Sequence, residues 1–405
     1  MNSSLTHYVE HYFAPHPSQQ VRELFVSKTI QDFATHAIML FEPIYLHVVV
    51  GFTIPQTLTF YAALYAIYFF FLPVGGRISR KRGNERTMLL SSPFLIIWYL
   101  ALLAMPLDRA YIAIALIAIV IQKILYWPSY HADFAAWSGR AERGREVSTS
   151  IVLTGVATTL APAFGGFVIA YYGFKTLFLL ACALILLSNV PLLKTPEFFV
   201  PQPFPYWAAM KRPFKRANWA GSVAFFGHGE DMIAAVAWPL FIAIVIPDLG
   251  ALGVIVSVAM LVNVAVILYV GRLTDEGDRT AVLRSGTYYT AAAWLLRPFT
   301  LGGFGVFMMD SFYRVSKNMF GVPLYAGRYD EANLTRNEGV MESVISYEMA
   351  LALGKAAGVA AAAAILAWWP LKTPDAWSAV FVLAGLWTAF YLFMPGRARV
   401  VTENA

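Results

Sequence analysis

The sequence predicts an all-α polytopic membrane protein: twelve transmembrane helices forming two pseudo-symmetric six-helix bundles. Three observations carry this. Of the 405 residues, 59% are hydrophobic and only 13% charged, where a soluble domain carries about 25% charged residues. Stretches of about 20 apolar residues, the length that crosses a bilayer as a helix, recur along the whole chain. Finally, short sequence features recur at a nearly constant offset, which marks a duplicated unit. A water-soluble protein this apolar would expose large adhesive patches, so the soluble alternative is excluded.

The elements follow in order. Residues 1–21 are polar and hold His7, His11 and His16, with neither the apolar core nor the cleavage site of a secretory signal. Leu5, Tyr8, Val9, Tyr12 and Phe13 fall at helical spacing and stop before Pro15 and Pro17, as in a short helix on the membrane surface. His7 and His11 stand at i, i+4, but no third ligand accompanies them and no metal site is predicted. Twelve spans follow near 24–50, 56–75, 87–105, 109–131, 147–171, 174–193, 219–247, 249–270, 282–300, 303–325, 339–369 and 376–394. They divide the chain into a bundle over 22–193, a linker over 194–218 rich in Pro and basic residues, a bundle over 219–395 and a tail over 396–405. The lone Cys182 lies in an apolar run and leaves no intrachain disulfide to form.

Basic residues crowd into alternate loops. One side holds Arg22 and Lys28, the run Arg77 to Arg86, Arg140, Arg143, Arg145, Lys194 and the linker cluster Lys211 to Arg216, Arg272, Arg279, Arg284, Arg328, Arg336, Arg397 and Arg399. The opposite loops hold Arg109, Lys175, Arg297 and Lys372. The positive-inside rule therefore predicts a multi-pass protein of the cell membrane with both termini in the cytoplasm. That map also puts Asn333-Leu-Thr335 in the cytoplasm, where no sugar is added.

The repeat is read from matched residues. Gly76-Arg-Ile-Ser-Arg-Lys-Arg-Gly-Asn-Glu-Arg-Thr87 and Gly271-Arg-Leu-Thr-Asp-Glu-Gly-Asp-Arg-Thr280 each close one span and open the next, 195 residues apart. Pro43 pairs with Pro239, Asp32 with His228, Pro128 with Pro323 and Tyr130 with Tyr325 at offsets of 195 or 196. The two segments resemble the loop motif of the major facilitator superfamily, Gly-x-Leu-Ala-Asp-Arg-x-Gly-Arg-Arg, in which Gly76, Arg80 and Gly83, and again Gly271, Asp275 and Arg279, form the gating loops. Ala161-Pro162-Ala163-Phe164-Gly165-Gly166 is similar to the Gly-Pro-x-x-Gly-Gly signature of that family's proton-driven exporters, which singles out Pro162, Gly165 and Gly166. The motif's aspartate is Arg80 in the first half and is retained as Asp275 in the second. The resemblance thus implies that Asp275, and not position 80, latches the halves, toward Arg143 or Arg145.

Ionisable groups inside hydrocarbon are costly and normally face a cavity or a partner. Asp32 and His36 share one face of span one, with Glu42 nearer the outer side, and span seven holds His228, Glu230 and Asp231. A carboxylate beside a histidine is suited to exchanging protons near neutral pH, so these six are the candidates for proton coupling, Asp32 first and Asp231 second. The candidates for the cavity and its solute are Lys123 and Tyr130 of span four, Asp310, Arg314 and Lys317 at i, i+4 and i+7 on span ten, and Glu348 and Lys355 on span eleven. Asp310–Arg314 and Glu348–Lys355 are also spaced as ion pairs. In the family resemblance, spans one, four, seven and ten line the central cavity, and all four are charged here. The aromatics Tyr61, Tyr65, Tyr68, Phe69 and Phe70 of span two are read as core or lipid-facing residues. Gly354, Gly358 and the run Ala360 to Ala364 suit close helix packing, and Gly155 with Pro162 suits a bend in span five.

Taken with the resemblance, these residues imply a monomeric secondary transporter. It alternates access around a midplane site to a small polar or charged solute, with protons as the coupling ion. A channel or receptor on the same frame, and a lipid or drug exporter, are the alternatives. No phosphate-binding loop, cofactor site or nucleic-acid-binding element is present. His131 and Asp133 lack the nucleophile motif of a hydrolase, so no catalytic residue is assigned.

Overall fold

The computed structural model describes residues 19–137, 143–193, 201–276, 278–334, 340–369 and 374–394. The surface helix expected over 1–21 falls almost wholly outside these residues, as do the tail and Thr335, and the side chains of Arg143, Arg145, Gly271, Asp275 and Arg279 are likewise not described. The described residues are mostly helical, and no strand occurs among them.

The helices among the described residues fall on the predicted spans. Span one is broken into Gln19–Met39 and Glu42–Val48, where Pro43 forbids an unbroken hydrogen-bond ladder. Spans two, three and four are Ile54–Arg82, Asn84–Ala104 and Ala110–Trp137. Spans five and six form one continuous stretch, Arg143–Leu192, folded back at Gly173, whose φ of 80° is open to glycine at no steric cost. Span seven is broken into Trp219–Phe226 and Gly229–Val245, and span eight is Leu249–Glu276. Arg279–Leu296 with a 3₁₀ turn at Arg297–Phe299 makes span nine, Gly302–Leu334 span ten and Val340–Trp368 span eleven. Pro374–Trp387 with the 3₁₀ turn Thr388–Phe393 makes span twelve.

Seven helices among the described residues are long and apolar enough to cross a membrane. Spans one, eight, nine and ten are not among them. In spans one and ten the reason is charge, since Lys28 and Asp32, and Asp310, Arg314 and Lys317, interrupt the apolar run. Large apolar side chains face outward around the bundle, for example Phe70 at 60% exposure and Leu186 at 61%. In water such a surface would aggregate, whereas lipid satisfies it.

Two seams join the halves: span two against span eleven, and span five against span eight. The second seam depends on Gly166, whereas Gly165 fits span five against span one of its own half. A Cβ on Gly166 would stand 2.6 Å from the carbonyl oxygen of Leu249, and one on Gly165 would meet the carbonyl of Ala37. Ala163 N–H donates to Ser257 Oγ at 2.8 Å across the same seam. Small residues thus let the backbones approach to van der Waals contact. In span eleven Gly354 and Gly358 do the same against the break of span seven. After Lys211 the linker turns at Arg212–Phe214 and Arg216–Asn218, and its Phe204 packs against Gly76.

Candidate functional site

Between the halves lies a cavity of about 570 Å³. Its walls come from spans one, five, seven, eight and ten. Of the predicted site residues, His36, Pro162, His228, Asp231, Asp310, Arg314 and Lys317 line it, with Asn263, Tyr313 and Asn318 added by the structure. Met39, Leu40, Ile242, Val256 and Met260 supply an apolar wall. A cavity of this size with a few convergent polar groups is typical of a small-molecule site.

The polar groups are arranged by the breaks and faces of the helices. The i, i+4 spacing on span ten brings Arg314 Nε to Asp310 Oδ2 at 2.6 Å, and Trp238 Nε1 donates to the other oxygen at 3.1 Å. Asp231 stands in the first turn of Gly229–Val245, where exposed backbone N–H groups favour a negative charge. Lys317 pairs with one of its oxygens, and Lys355 approaches the other at 3.0 Å. Asn318 Nδ2 donates to Asn263 Oδ1 at 2.5 Å, tying span ten to span eight.

Behind the wall, Glu230 is 0% exposed and accepts from Trp294 Nε1 at 3.0 Å, Tyr313 OH at 2.9 Å and Tyr391 OH at 3.0 Å. The first half holds a counterpart. Glu42, in the first turn after the break of span one, accepts from Tyr61 OH at 2.6 Å and Trp98 Nε1 at 3.2 Å. Trp98 and Trp294 are 196 residues apart, so the duplication retained the tryptophan donor while the carboxylate occupies different positions. That offset was available in the sequence and could have flagged both donors. Neither Glu42 nor Glu230 lines the cavity.

Several expectations are corrected by partners on other helices. Glu348 does not pair with Lys355. Its oxygens lie 3.4 Å from His131 Nε2 and 3.0 Å from the Tyr68 hydroxyl, because the turns of span eleven separate two residues seven apart. The carboxylate of Asp32 is held by Lys28 at 2.7 Å, and His36 Nδ1 donates instead to the Asp32 backbone carbonyl at 2.8 Å. Lys28 is therefore a helix residue in an ion pair, not a loop charge, and its ammonium lies 4.5 Å from the centre of the Tyr130 ring. Lys123 sits over the Tyr65 ring at 5.4 Å, and Lys355 also faces that ring at 5.3 Å. Span four contributes nothing to the lining of the cavity. Tyr61, Tyr65 and Tyr68 are polar anchors as well as core, since each offers its hydroxyl or ring to a buried charge.

Two further corrections concern arginines. Position 80 does join the halves: Arg80 hydrogen-bonds Gln202 of the linker and lies 3.5 Å from Glu342 at the start of span eleven. Asp275, expected to make the latch, has no described side chain. Gly83 ends the same loop with φ of 99°, which explains the second motif glycine. Arg297, read as a loop charge, is 0% exposed. Its guanidinium lies 3.8, 4.1 and 4.3 Å from the ring centres of Trp294, Trp238 and Tyr313. Sequence alone offered one signal for this, a basic residue directly before Pro298 with no other charge beside it. Among the described residues, no group of three His, Cys, Asp or Glu side chains converges as metal ligands would.

No protein-family model matches the sequence, and no curated protein matches it either. Solved structures do. The chain superposes on a bacterial homologue of the human drug peptide transporters PepT1 and PepT2 with a TM-score of 0.69 at 12% identity, covering 93% of this chain and 96% of that one. It superposes on a D-xylose-proton symporter with a TM-score of 0.68 at 13% identity, covering 94% and 98%. At such identities the likeness establishes the fold. The chain has the major facilitator fold, an all-helical, multi-pass membrane architecture of two bundles, as the loop motif implied.

Proposed function

We propose that the protein is a secondary transporter that moves a small polar or charged organic solute by alternating access, with protons as the coupling ion. It works as a monomer, with both termini in the cytoplasm. The observation that carries this reading is the cavity between the halves, into which span one brings His36 and spans seven and ten bring Asp231, Asp310, Arg314 and Lys317. A polar site walled by both halves, with His36 from the first and the charged groups from the second, suits alternating access, because rocking one half against the other regroups them. Both superposed structures are named as transporters, one of them as a proton symporter, which supports the same reading.

Asp231 takes the leading role in proton exchange, ahead of Asp32. Both its oxygens are engaged by lysines of different spans, so a shift of span ten or eleven would release the carboxylate to take a proton. Asp32 is tied to Lys28 within one helix and has no such dependence on a second span. The test is concentrative uptake into proteoliposomes across a solute library with an imposed pH gradient. Wild-type protein should accumulate its solute when the gradient is imposed and only equilibrate it when the gradient is collapsed. Asp231→Asn should keep equilibrium exchange and lose accumulation. Flux indifferent to the gradient would remove proton coupling, and non-saturable flux would favour a channel.

A further inference from the structure

Charge bookkeeping around the cavity points to the class of solute, and this inference rests on the transporter reading of the same site. Among the described residues at or directly behind the wall, the carboxylates are Glu230, Asp231 and Asp310, and each is engaged. Asp310 is taken by Arg314 and Trp238, Asp231 by Lys317 and Lys355, and Glu230 by three neutral donors with Lys317 3.7 Å away. Arg297 is the cation left over. Among the described residues, none donates or accepts a hydrogen bond with its three guanidinium nitrogens, and its charge is held by aromatic faces. Two of those rings, Trp238 and Tyr313, are themselves cavity wall. A guanidinium one ring behind the wall, with no paired counter-ion in a medium of low dielectric, keeps the cavity positive.

A point of attachment is also present. Arg314 lines the cavity with its side chain 29% exposed, and among the described residues only its Nε is engaged, toward Asp310. Its two terminal amino groups remain as donors in the planar fork that matches a carboxylate. By contrast, every carboxylate that would hold a substrate ammonium is already engaged. We infer that the cavity takes an organic monoanion: a carboxylate-bearing solute whose charged end meets the terminal nitrogens of Arg314 and whose apolar body lies along Met39, Ile242, Val256 and Met260. Zwitterions, amines and neutral amides of the same shape lack either the charge the cavity favours or a free partner for the charge they carry.

Matched probes test this on the purified full-length protein. One set is phenylacetate, phenylacetamide, phenethylamine and phenylalanine; the other is hexanoate, hexanamide, hexylamine and 6-aminohexanoate. Thermal stabilisation should appear with the carboxylate of a set and not with its amide, amine or zwitterion. Arg314→Gln should weaken the carboxylate response about tenfold or more, the loss expected for a charge-assisted pair. Arg314→Lys should retain part of it, keeping the charge without the fork. Because Arg314→Gln strands Asp310, the double variant Arg314→Gln/Asp310→Asn is measured beside it and should lose the response while remaining folded. Stabilisation by the amine, amide or zwitterion equal to that by the carboxylate overturns the inference, as does a full response in the double variant or none from either carboxylate. Failure of this inference is separable from failure of the transporter reading. Gradient-driven accumulation of a cation or neutral solute in proteoliposomes would refute the anion while leaving the transporter. Carboxylate binding without flux of any solute would do the reverse.

Discussion

Glu230 allows the sharpest test of how buried polarity holds the second bundle. Its two oxygens receive three donors, from spans nine, ten and twelve, and Glu230 itself is fully buried. Glu230→Ala removes the acceptors and leaves Trp294 Nε1, Tyr313 OH and Tyr391 OH without partners. Each unsatisfied buried group costs about 1–3 kcal/mol, so several kcal/mol of stability should be lost. Glu230→Gln should cost much less. Its carbonyl oxygen can accept from Trp294 and Tyr313, and its amide can donate to the Tyr391 hydroxyl, which accepts as readily as it donates. Tyr391→Phe alone removes one hydrogen bond to a charged acceptor, worth about 1.5–3 kcal/mol. Combined with Glu230→Ala it should add little, because the bond is already gone, and the non-additivity measures the contact itself. The assay is thermal and chemical unfolding of the purified protein in detergent, followed by tryptophan fluorescence. The reasoning fails if Glu230→Ala is no more destabilising than the lipid-facing control Leu186→Ala, or if Tyr391→Phe costs as much in the Glu230→Ala background as in the wild type.

Three other outcomes are expected. Arg80→Glu should set two carboxylates against each other at the seam of spans two and eleven and raise labelling of a cysteine placed there. The swap Arg80→Glu/Glu342→Arg should restore protection, with a coupling of about 1 kcal/mol; unchanged labelling in Arg80→Glu would deny the pair any role. Gly166→Val should force span five away from the Leu249 carbonyl at a cost of about 1–3 kcal/mol for overpacking, read as a lowered melting temperature and weakened cross-linking between spans five and eight, whereas retained cross-linking would contradict the contact. Trp98→Phe should cost about 1.5 kcal/mol through loss of the donor to Glu42, and Trp294→Phe a comparable amount in the second half; a silent Trp98→Phe would mean that the two donors are not equivalent.

Much of the fold was legible before any coordinates. Hydropathy located the helices of the described residues to within several residues, because a span presents about 20 apolar residues to lipid whatever its neighbours are. Proline and glycine marked the breaks for equally local reasons: Pro43 and Gly227 sit where spans one and seven are interrupted, and Gly83 stands where the backbone turns through positive φ. The candidate site was legible in membership more than in pairing. Asp231, Asp310, Arg314, Lys317 and His36 were all singled out as intramembrane charges and all line the cavity. Glu42, Lys123 and Glu348 were singled out by the same rule, yet they serve the packing around span two.

By itself the sequence determined the helical membrane architecture, the repeated offsets and which residues carry charge into the apolar segments, since these depend on composition and on spacing along the chain. Only the tertiary structure decided whom each charge meets. Asp231 finds Lys317 and Lys355 on other helices, Arg80 finds Glu342 in the opposite half, and Arg297 leaves its expected loop for an aromatic cage. The physical reason is that an ion pair or cage depends on distances of a few ångströms between helices far apart in sequence. Helix rotation and crossing set those distances, and neither is written in any one span.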